Sequence, residues 1–283
     1  MKVLISADME GVCGVTSWAQ VTPPEYGGQA PGEYERARVQ MTREVAAAAE
    51  GALEGGAKEV IVADSHHGMR NLLAEGLPRH TRLVSGNERP LGMVQGVDEA
   101  EVAAVFFIGY HARASTPRAV LSHTWNGIVQ DVRLNGRSTG EFGLNAWLAG
   151  HFGVPVTLVT GDDVAVAQVQ QELGAEVVGV AVKQSLSRYS ATHLHPDEAV
   201  ERVRYAARQA MARLSQAQPY EVARPTRVEV DLNHTARTDL VAHLLREVER
   251  IGDHTLAFTV DTALEGFRLF RLVNKLAEVE QDF

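Results

Sequence analysis

The sequence predicts an α/β fold, with a mostly parallel sheet covered by helices and a smaller C-terminal α+β block. Three observations carry this expectation. Strand-like and helix-like patterns alternate through the first two-thirds of the chain. The strand-like segments are continuous apolar runs, the pattern of strands buried on both faces. Near residue 185 the pattern changes to amphipathic helices and half-buried strands.

Residues 2–7 form the first apolar strand, and a Gly- and Pro-rich loop then runs to about residue 32. Residues 33–53 carry a helical stripe of Met41, Val45, Ala48 and Ala52, stopped by Gly55 and Gly56. Further apolar runs stand at 59–63, 103–108, 154–159 and 177–182, with helices fitting 140–151 and 162–173. Beyond them, 196–214 repeats apolar residues at helical spacing and 227–232 alternates as a strand. A second helical stripe joins Leu240, Val241, Leu244, Leu245, Val248 and Ile251, followed by a strand at 256–260. A closing helix carries Leu269, Leu272, Leu276 and Val279. The expected division is a catalytic α/β domain over 1–190 and a smaller α+β domain over 191–283.

A chain of 283 residues with 45% hydrophobic and 22% charged side chains can bury a core without covalent staples. The single cysteine, Cys13, excludes an internal disulfide and any site built from several thiolates. The first apolar run meets Asp8 too early for a signal peptide, and no stretch has the apolar length of a membrane span. A cytoplasmic protein is expected. A net charge of −9 without a basic block makes nucleic acid and anionic membranes poor partners.

Ligands of open α/β sheets bind beyond the carboxyl ends of the strands. Directly after the first run stand Asp8-Met9-Glu10-Gly11; after the second, Asp64-Ser65-His66-His67-Gly68; after the third, Gly109-Tyr110-His111-Ala112-Arg113. Asp8 with Glu10, and Asp64 with His66, point to one side of an extended chain. Two adjacent carboxylates resist joint ionisation unless a cation or proton lies between them. Carboxylates with imidazoles at neighbouring strand ends suit a borderline cation such as zinc. The ordinary reading of Asp64 is a turn or helix-capping residue, and both roles stay open for it. His67 faces away, and Asp162-Asp163 reads as the cap of the next helix. Glu141 opens a helix, where the dipole alone favours it. His123 taken alone is a weak signal.

Gly136-Arg137-Ser138-Thr139-Gly140 matches the G-x-S-x-G nucleophile pattern. The strand before it carries Gln130, Asp131 and Arg133, and Asn135-Gly136 fits a hairpin better than a nucleophile turn. H-E-x-x-H, the P-loop and G-x-G-x-x-G are absent.

At these residues the chain resembles the zinc-dependent, self-compartmentalising D-aminopeptidases. The matching segments are Ser6-Ala7-Asp8-Met9-Glu10-Gly11, Asp64-Ser65-His66, His111-Ala112-Arg113-Ala114-Ser115-Thr116-Pro117 with Gly109-Tyr110 before it, Ser122-His123, and Gly140-Glu141-Phe142-Gly143-Leu144-Asn145. The resemblance runs from residue 1 to about 190 and more faintly to the end. It implies a two-zinc site with Asp8, Glu10, His66, His111 and Glu141 as ligands, and His123 as the catalytic residue. It also implies a homo-oligomer, a decamer enclosing its active sites, and hydrolysis of small peptides with an N-terminal D-residue, D-Ala in particular. The loop over 16–32 is longer and richer in Pro and Gly than the family's pattern. Arg113 is a candidate anchor for a substrate carboxylate, with a surface or interface ion pair as its plainer reading. The rival readings are a metal phosphoesterase or Ser138 hydrolase, and a transport-associated peptide-binding protein without turnover.

Overall fold

The structure, a computed structural model, describes residues 1–279. The first run forms β1 (Lys2–Ala7), and the loop after it contains a short helix, α1 (Trp18–Val21), before the long α2 (Pro31–Glu54). Then come β2 (Glu59–Asp64), β3 (Thr81–Val84), β4 (Val102–Tyr110) and a hairpin of β5 (Val129–Leu134) and β6 (Arg137–Thr139). The sequence continues through α3 (Glu141–His151), β7 (Val156–Asp162), α4 (Asp163–Leu173), β8 (Val178–Ser187), β9 (Ser190–His193) and α5 (Pro196–Ala212). The last elements are β10 (Thr226–Leu232), α6 (Thr235–Leu244), β11 (Glu249–Arg250), β12 (Thr255–Val260) and α7 (Ala263–Ala277).

The larger sheet has the order β3-β2-β1-β4-β7-β8-β9, parallel except for the β8–β9 pairing. Both faces are covered, which is why its strands read as unbroken apolar runs. Val3, Ile5 and Ala7 of β1 face α2 and α5, whereas Leu4 faces the side covered by α3, α4 and Phe267 of α7. The strand order reverses between β1 and β4, and this switch point opens the crevice used below.

The smaller sheet runs β11-β12-β10-β5-β6 and is antiparallel. The sheets do not part at residue 190 as expected: β5 and β6, from within the first block, complete the second sheet, while α5 packs on α2. Helix α3 lies between the two, giving Phe142 and Ala146 to one core and Leu144 and Trp147 to the other.

Two helical phases also differ from expectation. Helix α6 ends at Leu244, so Val248 is buried from outside the helix and Ile251 is exposed. Helix α7 buries Phe267, Phe270, Val273 and Ala277 and leaves Leu272 exposed; it ends at Ala277, before the exposed Val279.

Candidate metal centre

Asp8 and His111 follow adjacent strands, and two glycines let those strand ends close on one another. A Cβ on Gly109, whose φ is +72°, would stand 2.2 Å from the Asp8 carbonyl oxygen; one on Gly11 would stand 2.1 Å from that of Tyr110. Glycine is therefore required at both positions for the turn after β1 to lie against the end of β4. The Asp8 N–H donates to Ile108 and the Gly11 N–H to Gly109, which fixes that contact. Glu141 enters from the first residue of α3, and His66 from the turn after β2. His123 arrives on the loop after β4, where Ser115, Arg118, Leu121 and Trp125 all adopt positive φ.

Asp8, Glu10, His66, His111, His123 and Glu141 converge. His66 Nδ1 lies 3.2 Å from Asp8 Oδ1 and 3.1 Å from Glu10 Oε2. His111 Nε2 lies 3.4 Å from Asp8 Oδ2 and 3.2 Å from Glu141 Oε1. His123 Nε2 is 3.6 Å from Glu141 Oε1 and 4.0 Å from Glu10 Oε1, and its ring stacks on His111 at 4.0 Å. Two donor groups result, one of Asp8, Glu10 and His66 and one of His111, His123 and Glu141, with Asp8 turning one oxygen towards each.

The other nitrogen of each imidazole fixes its tautomer. His66 Nε2 lies 2.6 Å from the Val21 carbonyl, His111 Nδ1 3.0 Å from that of Ala112, and His123 Nδ1 2.9 Å from that of Leu121. A carbonyl only accepts, so those nitrogens carry the protons. The remaining nitrogens thus aim lone pairs at carboxylate oxygens that also only accept. Asp8 Oδ2, Glu10 Oε2 and His111 Nε2 have no hydrogen-bond partner at all. Such buried acceptors are tolerated only with positive charge between them, supplied by protons or by a cation.

The proton alternative is visible in the acid–base properties. Burial raises the Asp8 carboxyl, but the His111 and His66 imidazoles beside it outweigh burial and hold it well below the carboxylate range. Burial likewise opposes ionisation of Glu10 and Glu141, and the imidazoles facing them bring both below their ordinary values. Burial lowers His66 and His111, yet Glu10 and Asp8 on the first, and Glu141 and Asp8 on the second, drive both well above the ordinary value. His123 is lowered, by burial and then by His111. A group that must either hold extra protons or hold a metal, with oxygen and imidazole donors and backbone carbonyls orienting the rings, fits zinc.

The centre opens into a cavity of about 480 Å³, walled by Trp18, Tyr26, His67 and Trp125, by Arg271 and Lys275 of α7, and by Glu278 just after it. The loop over 16–32 thus builds one wall. Its helix α1 is held by a Ser17/Gln20 capping box, Trp18 sets its ring edge-on to His123, and Tyr26 lies against His67.

Other expected residues lie elsewhere. Arg113 is not among the residues that line the cavity; its guanidinium stands 3.9 Å from Asp131 and donates to the Ala114 carbonyl. Ser138 donates to Asp131 on the β5–β6 hairpin, away from every imidazole of the centre. Asp64 accepts from the Asn71 and Leu72 N–H groups and from the Asn71 amide, which ties down the turn carrying His66. Asp162 caps α4. Sequence reasoning missed the Val21 carbonyl, the aromatic wall and the part played by α7. The Ser17-Trp18-Ala19-Gln20 capping pattern was the available signal for α1.

The comparisons with known proteins agree with this geometry. Residues 1–272 match the family model for M55 peptidases, described as D-aminopeptidase. A D-aminopeptidase of Bacillus subtilis (strain 168) is 42% identical over 199 residues, covering 70% of this chain and 69% of that protein. The solved structure of the Zn-dependent D-aminopeptidase DppA from Bacillus subtilis, a self-compartmentalizing protease, is similar over the whole of both chains, with a TM-score of 0.92 and 31% identity. With its fold and nearly its full length matched, the chain belongs to the D-aminopeptidase family.

Proposed function

We propose that this protein is a zinc-dependent aminopeptidase that releases N-terminal D-residues, D-Ala in particular, from small peptides. Two zinc ions per chain would be held by Asp8, Glu10, His66, His111 and Glu141. The observation that carries the reading is the set of buried acceptors facing one another around Asp8, with three of their atoms unpartnered. When bound, zinc supplies Lewis acidity, polarising a carbonyl and lowering the pKa of water to about 7.

The chain's own groups do the rest. Asp8, with one oxygen towards each donor group, holds the two positions in register. The Val21, Ala112 and Leu121 carbonyls lock the ring orientations before substrate arrives. His123 is the catalytic residue. Its Nδ1 proton is committed to Leu121, so Nε2 is free to take a proton from the attacking water and return it to the leaving amine. The aromatic wall keeps bulk water from the reacting bond.

We further propose a cytoplasmic homo-oligomer, with a decamer as the assembly. Full-length similarity to a self-compartmentalizing protease and the exposed apolar side chains Leu186, Tyr189 and Tyr205 support association. Among the described residues no helix is long and apolar enough to cross a membrane. The test of function is turnover of D-Ala-amide and L-Ala-amide before and after chelation. D-selective cleavage that chelation abolishes and zinc restores is expected. Cleavage that survives chelation, or peptide binding by the zinc-loaded protein without turnover, overturns the reading.

A further inference from the structure

Behind the turn that carries Glu10 lies a fully buried cation that the mechanism above does not use. Lys183, on β8, places its Nζ 2.6 Å from the Glu10 carbonyl oxygen, 2.9 Å from that of Val12 and 2.8 Å from that of Val15. An ammonium has three N–H donors and a neutral amine only two, so three acceptors at hydrogen-bond distance specify the charged form. Its direct partners are carbonyls of a single turn, not carboxylates. Glu44 of α2 grips the same turn from the opposite polarity, accepting from the Cys13 N–H at 3.0 Å. The Val12 carbonyl also accepts from the Val15 N–H within the turn, whereas the carbonyls of Glu10 and Val15 turn to the ammonium.

We propose that Lys183 is a positioning residue for the metal centre, gathering the carbonyls of residues 10, 12 and 15 and so setting where the Glu10 carboxylate stands. The backbone of Glu10 is pinned on one side by Lys183 and on the other by the Gly11–Gly109 contact, and its carboxylate then stands 3.1 Å from His66 Nδ1. Lys183 reaches the first donor group through the backbone carbonyl of Glu10 and not through its carboxylate. Its effect is therefore on the Asp8, Glu10 and His66 position and not on the position formed by His111 and Glu141.

The inference rests on Glu10 being a zinc ligand, and the experiment separates the two claims. Full-length wild type, K183M and the double variant K183M/E44Q are compared by zinc competition against a chelator of known affinity. The visible spectrum of the Co(II)-loaded proteins is recorded in parallel. K183M is expected to keep its circular dichroism and one tight site, to bind the second zinc about 10–100-fold more weakly, and to show an altered cobalt spectrum. The double variant, which also removes the nearby buried carboxylate, is expected to stay weak. Unchanged zinc affinity and spectrum in K183M overturn the inference. So does recovery in the double variant, which would reduce Lys183 to a charge partner of Glu44, and so does failure of both variants to fold. A wild-type chain that binds no zinc overturns the metal centre itself, and this inference with it.

Discussion

Asp8 lies close to both donor groups, 3.2 Å from His66 and 3.4 Å from His111, whereas Glu10 is 3.1 Å from His66 but 4.0 Å from His123. Asp8→Asn keeps its shape but removes the charge between them, so both zinc positions should weaken. Glu10→Gln should weaken only the position it shares with His66. Metal content of the two variants after identical dialysis checks this, and equal losses contradict the asymmetry. His123→Ala should keep both zinc ions and lower kcat by about 10²–10⁴-fold, the usual contribution of a proton-transfer group. Loss of one zinc in that variant would make His123 a ligand of the His111 and Glu141 group. At this scale the sequence was informative because strand ends are where α/β sheets place chemistry, and Asp8, Glu10, His66 and His111 all stood there. Lys183 follows the apolar run 177–182 in the sequence, but β8 continues through it to Ser187. A lone lysine after such a run ordinarily reaches solvent, and only the fold brings three carbonyls to it. Glu141 and His123 gave weak signals for a related reason: one is where a helix dipole favours any acid, and the other sits on an irregular loop.

Among the elements, the turn after β2 shows how a residue can look like a ligand and act as a clamp. Asp64 holds two backbone N–H groups and the Asn71 amide, and Asn71 in turn donates to the His66 carbonyl and accepts from Tyr34. Asp64→Ala leaves buried donors unpaired and should cost roughly 3 kcal/mol of stability, read by chemical denaturation. A loss below about 1 kcal/mol would contradict the clamp. The repeating elements were legible because their apolar runs match strand and helix periods. The misplaced phases have a physical cause. Helix α7 carries two apolar stripes, one through Phe267, Phe270 and Val273 and one through Leu269, Leu272 and Leu276, and it packs between two cores. Leu269 and Leu276 are half-buried at its margin, so hydrophobicity alone does not choose the phase. Strand β9 is a short edge strand whose pairing comes from its neighbour β8, not from its own composition.

The whole molecule joins a doubly wound sheet to a second sheet through shared helices, and α7 carries the C-terminal block onto the cavity wall. A division into consecutive domains was unreadable because β5 and β6 precede the block they complete. Zinc and protons compete for the same acceptors, which gives stability a definite pH dependence. In the metal-free chain His66 and His111 have raised values, so their contribution is complete below about pH 6.5 and fades as pH climbs through the raised values. The lowered Asp8, Glu10 and Glu141 contribute fully throughout the neutral range. Zinc binding displaces the protons and strengthens as pH rises. At a fixed zinc concentration the gain in Tm should therefore increase between about pH 6 and pH 8; free zinc at a thousand times Kd corresponds to about 4 kcal/mol of stabilisation. A gain that does not vary with pH would remove the competition. The most direct test is anomalous diffraction from zinc-loaded crystals recorded across the zinc absorption edge. Two peaks per chain are expected, both among Asp8, Glu10, His66, His111 and Glu141 with Asp8 between them. Peaks confined to other parts of the surface, or none, would contradict the metal centre.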